Sequence, residues 1–138
     1  MTVRVKHLEQ IGAFAKWQPV YAEYGIATFP VLVEGKVKKP LIKHCQSVGL
    51  NGSRELARKF ATAESFGFIL GHRSRITVLD IDTPDERILA DALDRHGPSP
   101  LIVRSGRGHW QGWYRHNGEP RAIRPGRTCR LIFSAAAY

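Results

Sequence analysis

Two aspartates one residue apart give the sharpest chemical signal in this 138-residue sequence. They end the apolar run ITVLDID at positions 76–82, which is typical of a β-strand. Because side chains alternate along a strand, we expect Asp80 and Asp82 on one face, with their Cα atoms about 6.5 to 7 Å apart. Carboxylates at that spacing suit one Mg²⁺ or Mn²⁺ ion, or a pair of such ions. The alternative is that both aspartates only cap the sheet or begin the next helix.

A glycine-rich segment, SGRGH at positions 105–109, gives a second signal. Small residues let backbone N–H groups approach an anion, as Gly108 would here. Ser105, Arg107 and His109 add side-chain donors, and an Arg guanidinium pairs well with phosphate. The segment therefore predicts a phosphate-binding loop, and the alternative is an ordinary hairpin connection.

Positive charge is concentrated in the final third of the chain. The formal net charge is +9, and residues 95–138 contain eight Arg with Glu119 as their only acidic residue. Arginines in this excess are typical of a surface that binds a polyanion such as nucleic acid. A solvated basic face is the alternative. The basic run KVKKP at 36–40 is likewise either a ligand contact or a charged edge strand.

Aromatic residues lie between basic ones in the last expected strand. Trp110, Trp113 and Tyr114 could stack on nucleobases, or they could pack in the core. Packing is favoured for at least one face of the strand, and the sequence does not assign the two tryptophans to faces.

Composition places the chain among ordinary globular domains, because 43% of its residues are hydrophobic and 24% are charged. No apolar stretch is long enough to span a bilayer, and residues 1–18 lack the apolar core of an export signal. A cytoplasmic location is therefore expected. Cys45 and Cys129 are expected to be free thiols.

The expected elements begin with a helix over 8–24, interrupted at Pro19, and a hairpin of strands 26–33 and 36–40. Ser53 is expected to cap a helix that runs to residue 61. Strands 66–70 and 76–81 are expected to pair with each other. The next helix is expected to begin at Thr83, with a capping box, and to end near residue 96. Strands over 101–104 and 109–116 follow.

This order lacks a regular βαβ rhythm, so it predicts an α+β fold with a mixed, largely antiparallel sheet flanked by helices. Its length predicts a single domain over residues 1–138.

Taken in order, several segments resemble the amino-terminal domain of bifunctional DNA primase/polymerases, in the archaeo-eukaryotic primase superfamily. The resemblance covers about residues 11–118. It rests on YAEYG at 21–25, FPV at 29–31, KKPL at 38–41, FILG at 68–71, VLDID at 78–82 and SGRGH at 105–109. It implies an RRM-like core and divalent-metal-dependent nucleotidyl transfer in DNA replication, such as that of a mobile element. The implied partners are a DNA template and primer, nucleoside triphosphates, and a helicase.

The resemblance also implies roles for single residues. Asp80 and Asp82 correspond to the family's acidic pair, which holds Mg²⁺ or Mn²⁺. His109, with the loop from Ser105 to Gly108, corresponds to the motif that contacts the phosphates of the incoming nucleotide. Lys39 and Gly71 correspond to nucleotide-pocket positions.

One departure from the family pattern bears on catalysis. The family has a third acidic residue on a later strand, whereas no Asp or Glu follows Glu119, and residues 119–138 diverge from the pattern. One hypothesis is that the chain is incomplete or frame-shifted at its carboxyl end. The alternatives to an active enzyme are a catalytically inactive nucleic-acid- or nucleotide-binding remnant and, less favoured, a metal-dependent nuclease.

Overall fold

The computed structural model describes residues 10–118 and the backbone of residues 133–134. The described elements, in chain order, are α1 (Ala13–Glu23), β1 (Thr28–Glu34), β2 (Val37–Pro40), α2 (Leu50–Lys59), β3 (Phe66–Phe68), β4 (Ile76–Ile81), α3 (Glu86–His96), β5 (Leu101–Arg104), β6 (Trp110–Arg115) and β7 (Phe133–Ser134). The predicted α+β class is confirmed. The chain forms two compact units, one containing the residues up to Ile69 together with β7, the other beginning at Leu70.

The first unit has a sheet in the order β2-β1-β3-β7, with every described pair antiparallel, and it contains helices α1 and α2. Phe14 of α1 and Phe66 of β3 are fully buried and have ring centroids 6.4 Å apart. Tyr21 packs edge-on against Phe66 at 5.2 Å. Burial of the Tyr21 side chain raises the pKa of its hydroxyl. These aromatic contacts hold α1 against the sheet.

The second unit has a three-stranded antiparallel sheet in the order β4-β6-β5, with α3 connecting β4 to β5. Val78 and Ile81 of β4 are buried. The β4–β6 register pairs Asp80 with Gln111 and Ile81 with Trp110. The β5–β6 register pairs Arg104 with Trp110. This sheet carries most of the residues that the sequence singles out.

Helix boundaries differ from the sequence prediction in three places. Pro19 lies inside a continuous α1, so it does not divide the helix. Pro19 has no N–H, so the helix loses one backbone hydrogen bond there. The aromatic contacts that α1 makes on both sides of Pro19, through Phe14 and Tyr21, stabilise the continuous helix. Ser53 lies within α2, which begins at residue 50 after Gly49. Its hydroxyl forms hydrogen bonds with Thr28, which is distant in the sequence, and does not cap the helix.

The third difference is at α3, which begins at residue 86 with Asp85 as its cap, two positions after the expected Thr83. The Thr83 hydroxyl instead accepts a hydrogen bond from the Asp85 N–H at 3.2 Å, which forms a turn ahead of the helix. Gly97, with φ of 88°, ends α3 where the sequence predicted.

The predicted pairing of strand 66–70 with strand 76–81 is wrong. β3 pairs with β1 and β7 in the first unit, whereas β4 pairs with β6 in the second. A single bridge between Gly71 and Ile76 is what remains of the expected hairpin. The connecting residues have the composition of a hairpin loop, but long-range pairing determines the partners of each strand.

Candidate metal and phosphate site

The acidic pair lies at one end of β4. Residues directly opposite each other in an antiparallel pair point to the same side of the sheet, so Asp80 and Gln111 share one face. Asp82 follows the last residue of β4, and its Oδ1 lies 3.8 Å from the Nδ1 of His109, just before β6. Asp82 thus lies beside His109 just beyond the end of β4, and Asp80 lies beside Gln111 within the strand; the placement of both carboxylates on one side of the sheet stays a prediction.

Each carboxylate has a neighbour on β6 or at its start. The Gln111 side-chain amide donates to the Asp80 Oδ1 at 3.5 Å, at the outer limit of a hydrogen bond. The His109–Asp82 separation is too long for a hydrogen bond, and it becomes an ion pair when the imidazole is protonated. The Asp82 side chain is 54% exposed and that of His109 is 31% exposed, so a ligand from solvent can reach both groups.

The loop between β5 and β6 is closed by its own hydrogen bonds. The Ser105 N–H donates to the His109 carbonyl at 2.8 Å, and the Gly108 N–H donates to the Ser105 carbonyl at 2.8 Å. The His109 N–H donates to the Ser105 hydroxyl at 3.1 Å. Gly108 has φ of 81°, which an L-residue adopts only with strain.

These bonds change how the loop could bind phosphate. The amides of Ser105, Gly108 and His109 are used within the turn, so they are not available to cradle an anion. Arg107 is exposed at the tip of the loop, and the His109 ring is accessible. The loop donors that these three bonds do not use are the N–H groups of Gly106 and Arg107 and the side chains of Arg107 and His109, together with the remaining donor capacity of the Ser105 hydroxyl.

The two weaker sequence candidates lie elsewhere. Lys39 is exposed on β2, in the first unit, opposite Leu32. Gly71 donates its N–H to the Ile76 carbonyl at 2.7 Å, at the start of β4. Since a strand rises ~3.3 Å per residue, that bond lies about 13 Å along β4 from Asp80. The structure thus places Gly71 at the far end of the strand from the acidic pair.

The aromatic residues of β6 divide between the two sides of the sheet. Trp113 lies opposite Val78, on the side of Asp80. The Tyr114 hydroxyl donates to the Gly97 carbonyl at 2.9 Å, so this residue anchors the end of α3. Burial raises the pKa of Tyr114.

Trp110 and Arg104 form a pair that the sequence did not reveal. The Arg104 Cζ lies 5.2 Å from the centre of the Trp110 ring, and the indole N–H donates to the Pro84 carbonyl at 3.2 Å. A cation–π contact at an exposed site contributes ~0.5–1 kcal/mol. Only the β5–β6 register brings the two residues together, and no sequence signal indicated that register.

The donor set at the acidic pair fits a hard divalent cation. Within residues 10–118, no group of three or more His, Cys, Asp and Glu side chains is arranged to hold a metal ion. Mg²⁺ and Mn²⁺ prefer oxygen ligands, and Mg²⁺ is commonly bound through one or two carboxylates, with water and substrate phosphate completing its shell. Asp80 and Asp82 supply two such carboxylates at one end of β4.

None of the helices that the structure describes is long and apolar enough to cross a membrane. Comparison with protein-family models, with curated proteins and with solved structures finds no match to this chain.

Proposed function

We propose that this chain carries out divalent-metal-dependent nucleotidyl transfer of the primase/polymerase type, with a DNA template and primer and nucleoside triphosphates as substrates. The observation that carries the proposal is the placement of Asp80 and Asp82 at the end of β4, with the Asp82 carboxylate 3.8 Å from His109 at the base of the β5–β6 loop. Carboxylates and phosphate donors at one end of a sheet suit the binding of a metal–nucleotide complex.

Asp80 and Asp82 would hold Mg²⁺ or Mn²⁺. The bound ion supplies neutralisation of the triphosphate and activation of a primer hydroxyl for in-line displacement. Gln111 orients the Asp80 carboxylate through its amide, and His109 lies where its ring can contact both Asp82 and a phosphate oxygen. Arg107, exposed in the loop, adds a planar phosphate donor.

A metal titration tests the site before any activity is assayed. Mn²⁺ and Mg²⁺ are titrated against the full chain while thermal unfolding is followed, with Asp80→Asn, Asp82→Asn and the double variant alongside. A ligand at 100 times its dissociation constant stabilises by ~2.7 kcal/mol, so the wild type should show a clear rise in Tm. Asp94→Asn is the matched control, since Asp94 is an exposed aspartate on α3. A metal-dependent rise that persists in the double variant contradicts the proposed site.

Primer extension with Mn²⁺ and nucleotides then tests the reaction. Synthesis that Asp80→Asn abolishes and Asp94→Asn preserves supports the proposal. A template-primer that is bound in a salt-sensitive way and never extended identifies the inactive binding remnant. Degradation of the oligonucleotide without added nucleotides identifies a nuclease.

The inactive remnant is the second candidate function, because one specific observation favours it. Within residues 10–118, no third His, Cys, Asp or Glu side chain joins the two carboxylates in a group arranged to hold a metal ion. Two carboxylates can bind a metal–nucleotide complex, whereas a two-metal displacement needs more ligands to fix both ions.

A further inference from the structure

The second unit carries a cationic aromatic pair on the side of its sheet that faces away from the acidic pair. Arg104 and Trp110 are opposite each other in the β5–β6 register, and Trp110 is also opposite Ile81. Gln111, the next residue, is opposite Asp80. Since neighbouring residues of a strand point to opposite faces, the Arg104–Trp110 pair and Asp80 lie on opposite sides of the sheet.

Two contacts hold the pair in place without a ligand. The Arg104 guanidinium lies 5.2 Å above the centre of the Trp110 ring. The Trp110 indole N–H donates to the Pro84 carbonyl at 3.2 Å, which fixes the ring. A ligand would therefore pay little of the usual cost of ordering these side chains.

Two exposed arginines supply positive charge at the pair and in the adjoining loop. Arg104 is exposed, and none of the ion pairs within residues 10–118 includes it. Arg107, three residues along, is exposed as well. A guanidinium 5.2 Å from the centre of an indole ring puts two planar groups that can stack on bases, and donors for phosphate, in one place. The ligand that combines flat π-faces with regularly spaced negative charges is a single-stranded nucleic acid.

We infer that the Arg104–Trp110 pair is a stacking site for bases of single-stranded DNA, with Arg107 as an adjacent phosphate contact. The site needs no metal and none of the residues assigned to metal binding, so it goes beyond the proposed nucleotidyl transfer. It also assigns the base-stacking role to Trp110 and not to Trp113 or Tyr114, which lie in other environments.

Binding of a 12-nucleotide oligodeoxythymidylate to the full chain, in EDTA, tests the inference. Anisotropy of a labelled oligonucleotide gives the affinity, and tryptophan fluorescence reports the contact. Because base stacking on such side chains contributes ~1–3 kcal/mol, Arg104→Ala should weaken binding by about 5- to 100-fold. Arg104→Lys keeps the positive charge but removes the planar guanidinium, so this variant should lose most of the affinity that Arg104→Ala loses. Quenching of tryptophan fluorescence on binding should disappear in Trp110→Phe.

Arg115→Ala is the matched control, since Arg115 is an exposed arginine at the other end of β6, opposite Ile76. It should change affinity by less than about 3-fold, the loss of a single electrostatic contact. Blunt duplex DNA is the second control, because its bases are already stacked and should gain nothing from the pair. Circular dichroism of each variant establishes that it is folded, and Arg104→Lys, at an exposed position, keeps the test available if Trp110→Phe unfolds.

Three results would overturn the inference: wild-type affinity in Arg104→Lys, an equal loss in Arg115→Ala, or an equal loss on duplex DNA. Each would reduce the pair to a general phosphate contact. Since the experiment is done in EDTA, its failure leaves the metal site untouched, and failure of the metal titration leaves this result untouched.

Discussion

Ser53 and Thr28, 25 positions apart in the sequence, share two hydrogen bonds inside the first unit. The Thr28 N–H donates to the Ser53 Oγ at 3.0 Å, and the two hydroxyl oxygens are 3.1 Å apart. Both residues are fully buried. The pair joins α2 to the first residue of β1 and explains why a serine lies within a helix, facing the protein interior.

Ser53→Ala should therefore destabilise the chain. It leaves the buried Thr28 N–H without its acceptor, and an unsatisfied buried donor costs ~1–3 kcal/mol. Urea denaturation measures the loss, and Ser47→Ala, at an exposed serine, is the control and should stay within about 0.5 kcal/mol of the wild type. A double-mutant cycle with Thr28→Val should show coupling, and additive losses would contradict the pairing.

Two glycines of the first unit should respond to alanine with opposite signs. A Cβ at Gly12 would lie 2.4 Å from the Ala63 carbonyl oxygen, and backbone hydrogen bonds hold that segment in place. We expect Gly12→Ala to destabilise by ~1–3 kcal/mol, the cost of overpacking. A Cβ at Gly52, an exposed position of α2, would meet only the Val48 Cγ1 at 3.8 Å. Gly52→Ala should stabilise by ~0.5–1 kcal/mol because of helix propensity.

Denaturation of both variants in urea checks the sign of each change. A Gly12→Ala variant as stable as the wild type would show that the backbone of residues 62–63 can shift to make room for the added Cβ without loss of stability. A destabilised Gly52→Ala would mean that α2 does not have its described boundaries.

The Asp85 carboxylate, which caps α3, should make the stability of the protein depend on pH in the acid range. Hydrogen bonds from the Arg87 side chain, and then from its N–H, lower the pKa of Asp85. A carboxyl group with a lower pKa in the folded state stabilises above its unfolded pKa of about 3.9, and that contribution is lost as the pH falls through the folded-state value. Asp85→Ala should therefore lower the Tm at pH 7, and the difference from wild type should shrink below about pH 4.

Asp85→Asn is the control for this dependence. It keeps an oxygen that can accept from the Arg87 N–H and loses the titrating group, so its Tm at neutral pH should lie between those of wild type and Asp85→Ala. A difference between wild type and Asp85→Ala that stays constant from pH 7 to pH 2.5 would rule out the carboxylate as its source.

Tyr114 should stabilise the second unit through its hydroxyl. Its donation to the Gly97 carbonyl at 2.9 Å fastens the end of α3 to β6. Tyr114→Phe removes this bond and keeps the ring, so it should cost ~0.5–1.5 kcal/mol in urea denaturation. Tyr24→Phe is the matched control because Tyr24 is 73% exposed. Equal effects of the two substitutions would show that the hydrogen bond contributes nothing.

Local patterns predict the turn between β1 and β2, where Gly35 has φ of 57°. Alternation within one strand predicts Asp80 and Asp82 on one side of the sheet, and the structure places Asp80 within β4 and Asp82 just after it. The pairing of β3 with β1 could not be predicted, because strand partners depend on contacts distant in sequence. For the same reason the neighbours Gln111 and Arg104 were missed, since only the register brings them to Asp80 and Trp110.

The three-residue loop between Ser105 and His109 has an evolutionary consequence. Since strand residues alternate between sides, inserting one residue there without a compensating bulge would bring His109 to the place and direction of Trp110. The imidazole would then replace the indole beside Arg104, and both functions assigned to this hairpin would fail together. Genes descended from a common ancestor should therefore vary this loop in steps of two residues.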